Sequence, residues 1–236
     1  YEFFRFFQLL QNFCVTDLSN FYLDIAKDRL YVSAPQDKRR RSCQTVMALI
    51  IERLAGFIAP VLCHMAEDIW QNLPYRVQET SVFQRGWPSA PTEWRNDTLT
   101  APVQQLRDLR AAVNKVLEDC RGRQELGASL EAAVRIEARS PEMQAALSWL
   151  SDNADPEVDG LRDWLLVSQL QLGGEPWAEV LASHDDELAS IEVSRARGTK
   201  CERCWHYEGD VGQHPEHPHI CGRCVGVLGR RTHQLA

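Results

Sequence analysis

The sequence is short of several things that would narrow its function at once. No apolar run approaches the roughly 20 residues that a membrane-spanning helix needs, so no membrane association is expected. Nothing resembles a secretory leader, and no internal repeat or low-complexity run is present. Methionine is missing from position 1. The chain opens on Tyr1, already inside an amphipathic pattern, which reads as a piece of something longer cut upstream.

A surplus of positive charge is missing too. The formal net charge is −7, which argues against indiscriminate nucleic-acid binding. The acidity is local, however. Residues 1–139 carry 18 Lys and Arg against 17 Asp and Glu, residues 140–190 carry 1 against 11, and residues 191–236 carry 7 against 5. Both ends are therefore free to approach a polyanion. With 236 residues, 44% hydrophobic and 25% charged, the composition is that of an ordinary soluble globular protein, long enough for one large domain or two small ones.

What is there begins with helices. Phe3, Phe7, Leu10, Cys14, Leu18, Phe21 and Ile25 recur at spacings of three and four, which predicts a packed helix across 1–31. "SAPQDKRRRS" (33–42) breaks the pattern. Cys43, Met47, Ile50, Leu54, Phe57 and Val61 then repeat in phase, with Pro60 near the end of that helix. "MAEDIWQNLP" (65–74) adds a shorter one. Three such helices with short loops predict a bundle. Residues 75–98 read as a linker with one short strand near "SVF", and Thr100 with Pro102 reads as the start of the next helix, running to Gly122.

Beyond this the period changes. In "EAAVRIEAR" (131–139) the apolar Ala132, Val134, Ile136 and Ala138 alternate with Glu131, Arg135, Glu137 and Arg139, predicting a half-buried strand. Ser140-Pro141 caps another helix, "LLVSQLQL" (165–172) alternates again, and "IEVSRAR" (191–197) is strand-like. The expected fold is mainly α, in three parts. A helix bundle and linker occupy 1–98, a small α+β domain 99–190, and a cysteine module 191–236.

That module holds Cys201, Cys204, Cys221 and Cys224 as two Cys-x-x-Cys pairs with sixteen residues between them. A disulfide framework would need an oxidising compartment, and a redox pair usually sits on a βαβ unit; neither accompanies these cysteines. The spacing matches a structural zinc site, because a tight turn presents two thiolates to one ion and two turns complete a tetrahedron. Gly222 is expected to supply backbone freedom for the second turn. A tail with few large apolar side chains cannot bury enough surface alone, so a metal staple worth roughly 10–16 kcal/mol would supply its stability. His206, His214, His217 and His219 are expected around the site rather than on the ion, and Cys14, Cys43, Cys63 and Cys120 in apolar packing. Four protein ligands leave no open position, so such an ion cannot activate water. What the module could present are Arg203, Trp205 and Arg223, with Arg230 and Arg231 behind. Cations beside an aromatic suit phosphate contacts and base stacking.

"KCERCWHY" with "HICGRC" resembles the C-terminal zinc motif of the bacterial-type isoleucyl-tRNA synthetase family. "NFCVTDLSNFYLDIAKDRLY" (12–31) and residues 39–74 are similar to the helices of that family's anticodon-binding domain, and "SVFQRGWP" with residues 109–134 to the junction beyond. The resemblance covers nearly the whole chain, most weakly over 140–190. It implies an anticodon-binding helix bundle, an α+β junction domain and a zinc module holding one structural ion on the four cysteines. It also implies tRNA(Ile) as partner, a catalytic domain upstream in the same polypeptide, a monomer and a cytoplasmic location. Class I synthetases bind ATP and isoleucine through two signature motifs and edit in an inserted domain. Neither motif nor insertion occurs here, so no catalysis is expected of this chain alone. The family motif contains Arg203 and Trp205, which makes them its leading tRNA candidates. Lys27, Arg29, Arg39, Arg40 and Arg41 are further candidates, the last three clustered at a helix start where the dipole favours phosphate. Two alternatives stand beside this reading: a purely structural zinc-stapled module, and a DNA-binding finger of the formamidopyrimidine-DNA glycosylase type. The latter would need an N-terminal catalytic proline and a helix–two-turn–helix that are not seen.

Overall fold

The structure is a computed structural model that describes residues 2–152 and 160–232. Its first helical run is continuous, as the spacing predicts, but its pitch is not. The α-helix α1 (Phe3–Asn12) opens into a π-helical stretch over Phe13–Leu23 and returns to α-helix in α2 (Asp24–Tyr31). Such widening usually lasts a single turn. Here side chains from α5 (Asp97–Gly122) hold it. Arg107 pairs with Asp17 at 2.7 Å, while the buried Arg110 donates to the Asn20 carbonyl (2.9 Å), the Asp24 carboxylate (2.7 Å) and the Trp164 carbonyl (2.7 Å). The expected apolar stripe is buried only at its end. Ile25 is 3% exposed, but Phe3 and Phe7 lie largely open.

Two compact units result. Residues 1–40 and 98–236 form one and residues 41–97 the other. The expected division at 98/99 lies one residue beyond the 97/98 boundary of these units, and residues on both sides of 190/191 belong to the larger one. In the smaller unit most of α3 (Lys38–Ile58) precedes α4 (Cys63–Gln71). Trp70 is buried and donates its indole N–H to the Glu79 carbonyl (3.0 Å). A Cβ on Gly56 would sit 2.4 Å from the Pro88 ring, so the tail of this unit closes tightly over the helix. The strand expected near "SVF" is instead a 3-10 turn over Val82–Gln84, capped by the Ser81 hydroxyl, which accepts from the Phe83 N–H.

In the larger unit, α5 begins at Asp97 rather than at Thr100, and Pro102 lies inside it, near enough to the start to cost little. Its face of Leu106, Leu109, Val113, Val116, Leu117 and Cys120 packs on a four-stranded sheet. The strands are β1 (Ala132–Ala138), β2 (Gln169–Leu172), β3 (Ala182–Asp185) and β4 (Ala189–Arg195), in the order β2-β1-β4-β3. β1 runs parallel to β2 and antiparallel to β4, with Val134 opposite Val193 and Ile136 opposite Ile191. β1 is not half-buried. Arg135, expected at the surface, is buried at 2% exposure, paired with Glu137 (2.8 Å) and Glu192 (3.3 Å) and donating to the Gly174 carbonyl. The two glutamates offset the cost of burying its charge. α6 (Pro141–Asp152) is capped as predicted: the Ser140 hydroxyl accepts from the Met143 N–H at 3.0 Å. "LLVSQLQL" divides between the end of α7 (Leu161–Leu165) and β2. The chain then makes a small hairpin of β5 (Thr199–Lys200) and β6 (Tyr207–Glu208) and finishes in α8 (Gly222–Thr232).

Candidate metal centre and nucleic-acid interface

The first cysteine pair sits on the turn between β5 and β6. The Trp205 N–H donates to the Cys201 carbonyl (2.9 Å) and the Cys201 N–H to the His206 carbonyl (2.8 Å), folding Cys201 and Cys204 onto one side. The second pair flanks the start of α8, where the Val225 N–H donates to the Cys221 carbonyl (3.0 Å) and Cys224 falls in the first helical turn. The Asp210 carboxylate caps this helix by accepting from the Gly222 N–H at 2.8 Å. Gly222 keeps a negative φ, so the freedom expected of it is not used. It is glycine because a Cβ would lie 2.6 Å from the Asp210 carboxylate and 3.0 Å from the His214 ring.

All four sulfurs lie within 4.8 Å of one another, and all four cysteines are buried. Cys201 Sγ is 3.8 Å from Cys224 Sγ, and Cys204 Sγ is 3.7 Å from Cys221 Sγ. A disulfide would need about 2.05 Å. A tetrahedral ion with bonds of about 2.3 Å places its sulfurs about 3.8 Å apart. The donor set therefore fits one tetrahedrally bound soft divalent ion. The electrostatics agree. The Cys204 thiol is held down at about 4, chiefly by its hydrogen bond with Cys224 and then by Arg223, while burial first and its sulfur neighbours second push Cys221 up to about 11. Crowded sulfurs cannot all ionise until a cation joins them. No histidine joins the cluster among the described residues. His206 is buried, and burial, with Arg223 next, lowers its pKa, so it stays neutral at pH 7. Of the remaining cysteines Cys43 and Cys120 are buried and Cys14 partly so, but Cys63 is exposed at the start of α4, where packing cannot explain it.

The sequence-predicted cations separate into two groups. Arg203 and Arg223 turn inward. Arg203 Nη2 donates to the Val32 carbonyl at 2.7 Å and its Nη1 lies 3.4 Å from Cys224 Sγ. Arg223 makes a two-pronged bond to the Asp28 carboxylate, both arms 2.9 Å. Arg39 joins Asp28 at 3.0 Å and lies 3.5 Å from Asp163. Burial raises the pKa of Asp28, but the bond from Arg223 and the charges of Arg223 and Arg39 outweigh it and hold the carboxyl below its ordinary value. Val32 itself packs among the four cysteines. Neither Asp28 nor Val32 carried any signal in the sequence, because the partners lie far apart along the chain; Asp28 and Arg223 are 195 residues distant.

The second group faces outward. Trp205 is 61% exposed, and the Lys200 ammonium stands 5.7 Å from its ring. Its φ is +68°, a left-handed conformation that a bulky residue seldom adopts. Lys27 is exposed and paired only locally with Asp24 at 2.8 Å. Arg29 is half-buried on α2, and Arg40 reaches the Ser33 carbonyl at 3.4 Å. Arg41 is exposed and belongs to the smaller unit. A cleft of about 190 Å³ opens beside the start of α3, lined in part by Lys38, Arg39, Arg223 and Arg230. The side chain of Arg231 lies outside the described residues. Among the described residues no helix is long and apolar enough to cross a membrane.

Residues 1–136 match the family described as the anticodon-binding domain of tRNA ligase, and residues 198–226 the zinc finger found in FPG and IleRS. Among curated relatives, the isoleucine–tRNA ligase of Parasynechococcus marenigrum (strain WH8102) is 92% identical over 97% of this chain and 23% of its own length. Those of Synechococcus sp. (strain CC9311) and Prochlorococcus marinus (strain MIT 9313) are 76% and 74% identical over 98% and 97% of the chain. The chain spans about a quarter of the length of the relatives it matches (23% and 24%).

Proposed function

The chain belongs to the anticodon-binding-domain family of tRNA ligases, and from that premise we propose that it holds tRNA(Ile) at the anticodon side and orients it for ATP-dependent aminoacylation by a catalytic domain elsewhere in the same cytoplasmic, monomeric polypeptide. The ion at the four cysteines is zinc, gripped by Cys201, Cys204, Cys221 and Cys224. With every position filled by protein it supplies rigidity and no Lewis-acid site for water.

The observation that carries the tRNA reading is Trp205. A tryptophan directly after a cysteine of the cluster is 61% exposed and sits on a strained backbone, so most of its ring surface is left for a partner. Strain of this kind persists where the surrounding structure imposes it and commonly marks function. An unpaired base stacking on this ring, with Lys200 beside it, gives the contact single-stranded RNA recognition uses, worth about 1–3 kcal/mol per base. Phosphates then fall to Lys27, to the partly exposed Arg29 and Arg40, to Lys38 and Arg230 at the cleft, and, in the smaller unit, to Arg41, while Arg39 stays with Asp28 and Asp163. Arg203 and Arg223 are committed inward, to the Val32 carbonyl and the Asp28 carboxylate, rather than to RNA.

Trp205→Ala tests this. With the metal content unchanged, affinity for the isoleucine tRNA should fall about tenfold or more, and binding by the unaltered chain should weaken steeply between low and physiological salt. Unchanged affinity in the variant would favour a finger that only staples the parent protein. A flat salt response would remove the phosphate contacts.

A further inference from the structure

Around the sulfur cluster lies a second ring of charge that belongs to a distant part of the chain. Four thiolates and one divalent ion leave two negative charges in excess. Two arginines from within the cysteine motif stand beside them: Arg203, whose Nη1 lies 3.4 Å from Cys224 Sγ, and Arg223, one residue before Cys224 in the chain. Each of these arginines is held from behind by α2 or its end. Arg203 is fixed by the Val32 carbonyl at 2.7 Å, and Arg223 by both oxygens of Asp28 at 2.9 Å. Asp28 is aligned in turn by Arg39, at 3.0 Å, and its side chain is only 10% exposed. On one side the order outward is sulfur, the Arg203 guanidinium and the Val32 carbonyl; on the other the Asp28 carboxylate lies between the guanidinium groups of Arg223 and Arg39. Val32 closes the same seam with an apolar contact to the cysteines.

We propose that Asp28 and the Val32 carbonyl are positioning groups of the metal centre, acting through Arg223 and Arg203, so that metal binding and the seating of the cysteine loops on α2 are one event. The inference rests on the metal reading above. Partners one layer beyond the ligands orient them and tune their basicity, and their loss commonly lowers metal affinity by about 10- to 100-fold. A carboxylate that grips Arg223 keeps its guanidinium beside the sulfurs. Without that grip the arginine swings to solvent and the excess negative charge goes uncompensated. Coupling of this kind is reciprocal: if α2 tightens the metal, the metal must tighten α2.

Two measurements on the zinc-loaded chain decide it. Transfer of zinc to a chromogenic chelator should be about tenfold faster or more in Asp28→Asn and largely restored in Asp28→Glu. The double variant Asp28→Asn/Arg223→Gln should release zinc no faster than Arg223→Gln alone. Asp185→Asn, which breaks only the exposed pair with Arg139, should release it at the unaltered rate. Secondly, stripping the metal from the unaltered chain should speed amide hydrogen exchange at residues 27–33 as well as across 199–227. Release from Asp28→Asn within about twofold of the unaltered rate, or exchange that rises across 199–227 alone, overturns the proposal. Should Asp28→Asn lose its helicity, the exchange measurement, which needs no variant, decides alone. An unaltered chain purified without stoichiometric metal would defeat the metal reading itself, and this inference with it; a metal-replete chain indifferent to Asp28 defeats only this inference.

Discussion

Trp205 sits where a glycine would be at ease. A left-handed backbone costs a residue with a Cβ roughly 1–2 kcal/mol, and Trp205, 61% exposed, has only part of its ring covered to set against that. Trp205→Gly should therefore raise the stability of the metal-loaded tail, by up to about 1 kcal/mol after glycine's larger entropy loss is counted, while tRNA affinity falls as for alanine. Thermal unfolding of the loaded protein, followed beside tRNA binding, checks both halves. A variant that loses stability would mean the ring has a packing partner after all. The arginines teach the converse lesson. Arg203 and Arg223 sit inside the cysteine motif and look in sequence like two free cations, yet both are bonded inward.

Between residues and modules, Tyr75 reports on the smaller unit. Its hydroxyl donates to the Ala48 carbonyl at 3.3 Å, and burial first, with Glu52 second, raises its pKa to about 12. The sign follows directly. The folded pKa lies above the unfolded value of about 10, so whatever Tyr75 contributes to stability is fully present below pH 10 and is lost as pH climbs toward 12. A spectrophotometric titration should show one phenol ionising last, in a step that vanishes in Tyr75→Phe; a unit in which Tyr75 ionises near 10 would not have the contact to Ala48 and Glu52 described. Element by element, the helices up to α6 and the strand β1 were legible from period and capping, and Ser140 caps α6 as its position promised, whereas α7 and α8 were not read from the sequence. The π-helical stretch was not. Its wider turn is held by Arg107 and Arg110 from about 90 residues away, and a local period cannot register a partner at that distance. β3 escaped for a related reason. Four residues gain strand form only by pairing with β4, and so short a run carries too little alternation to read.

At the scale of the whole molecule, the core of the larger unit is α5 against β1–β4, and no metal-cluster cysteine belongs to it. Cys221→Ser should therefore release the metal and unfold 199–227 while the main cooperative transition and most of the helical signal survive, as circular dichroism against temperature would show. Loss of the whole transition would mean that the sheet depends on the ion. Disturbance is expected to extend into the end of α2, where Asp28 and Val32 meet the finger, and to the residues before β2, where the Ser168 hydroxyl accepts from the Tyr207 N–H.

The sequence by itself determined the helical character, the four-cysteine cluster and the family, because periodicity, a Cys-x-x-Cys pair and a motif are all written within a few tens of residues. Tertiary structure alone decided what the charges do. An arginine binds whichever carboxylate or phosphate is nearest, and nearness across 195 residues exists only after folding. The same sequence letters that suggested eight contacts for RNA thus became, on folding, an exposed ring with a few outward cations and a buried brace for the metal.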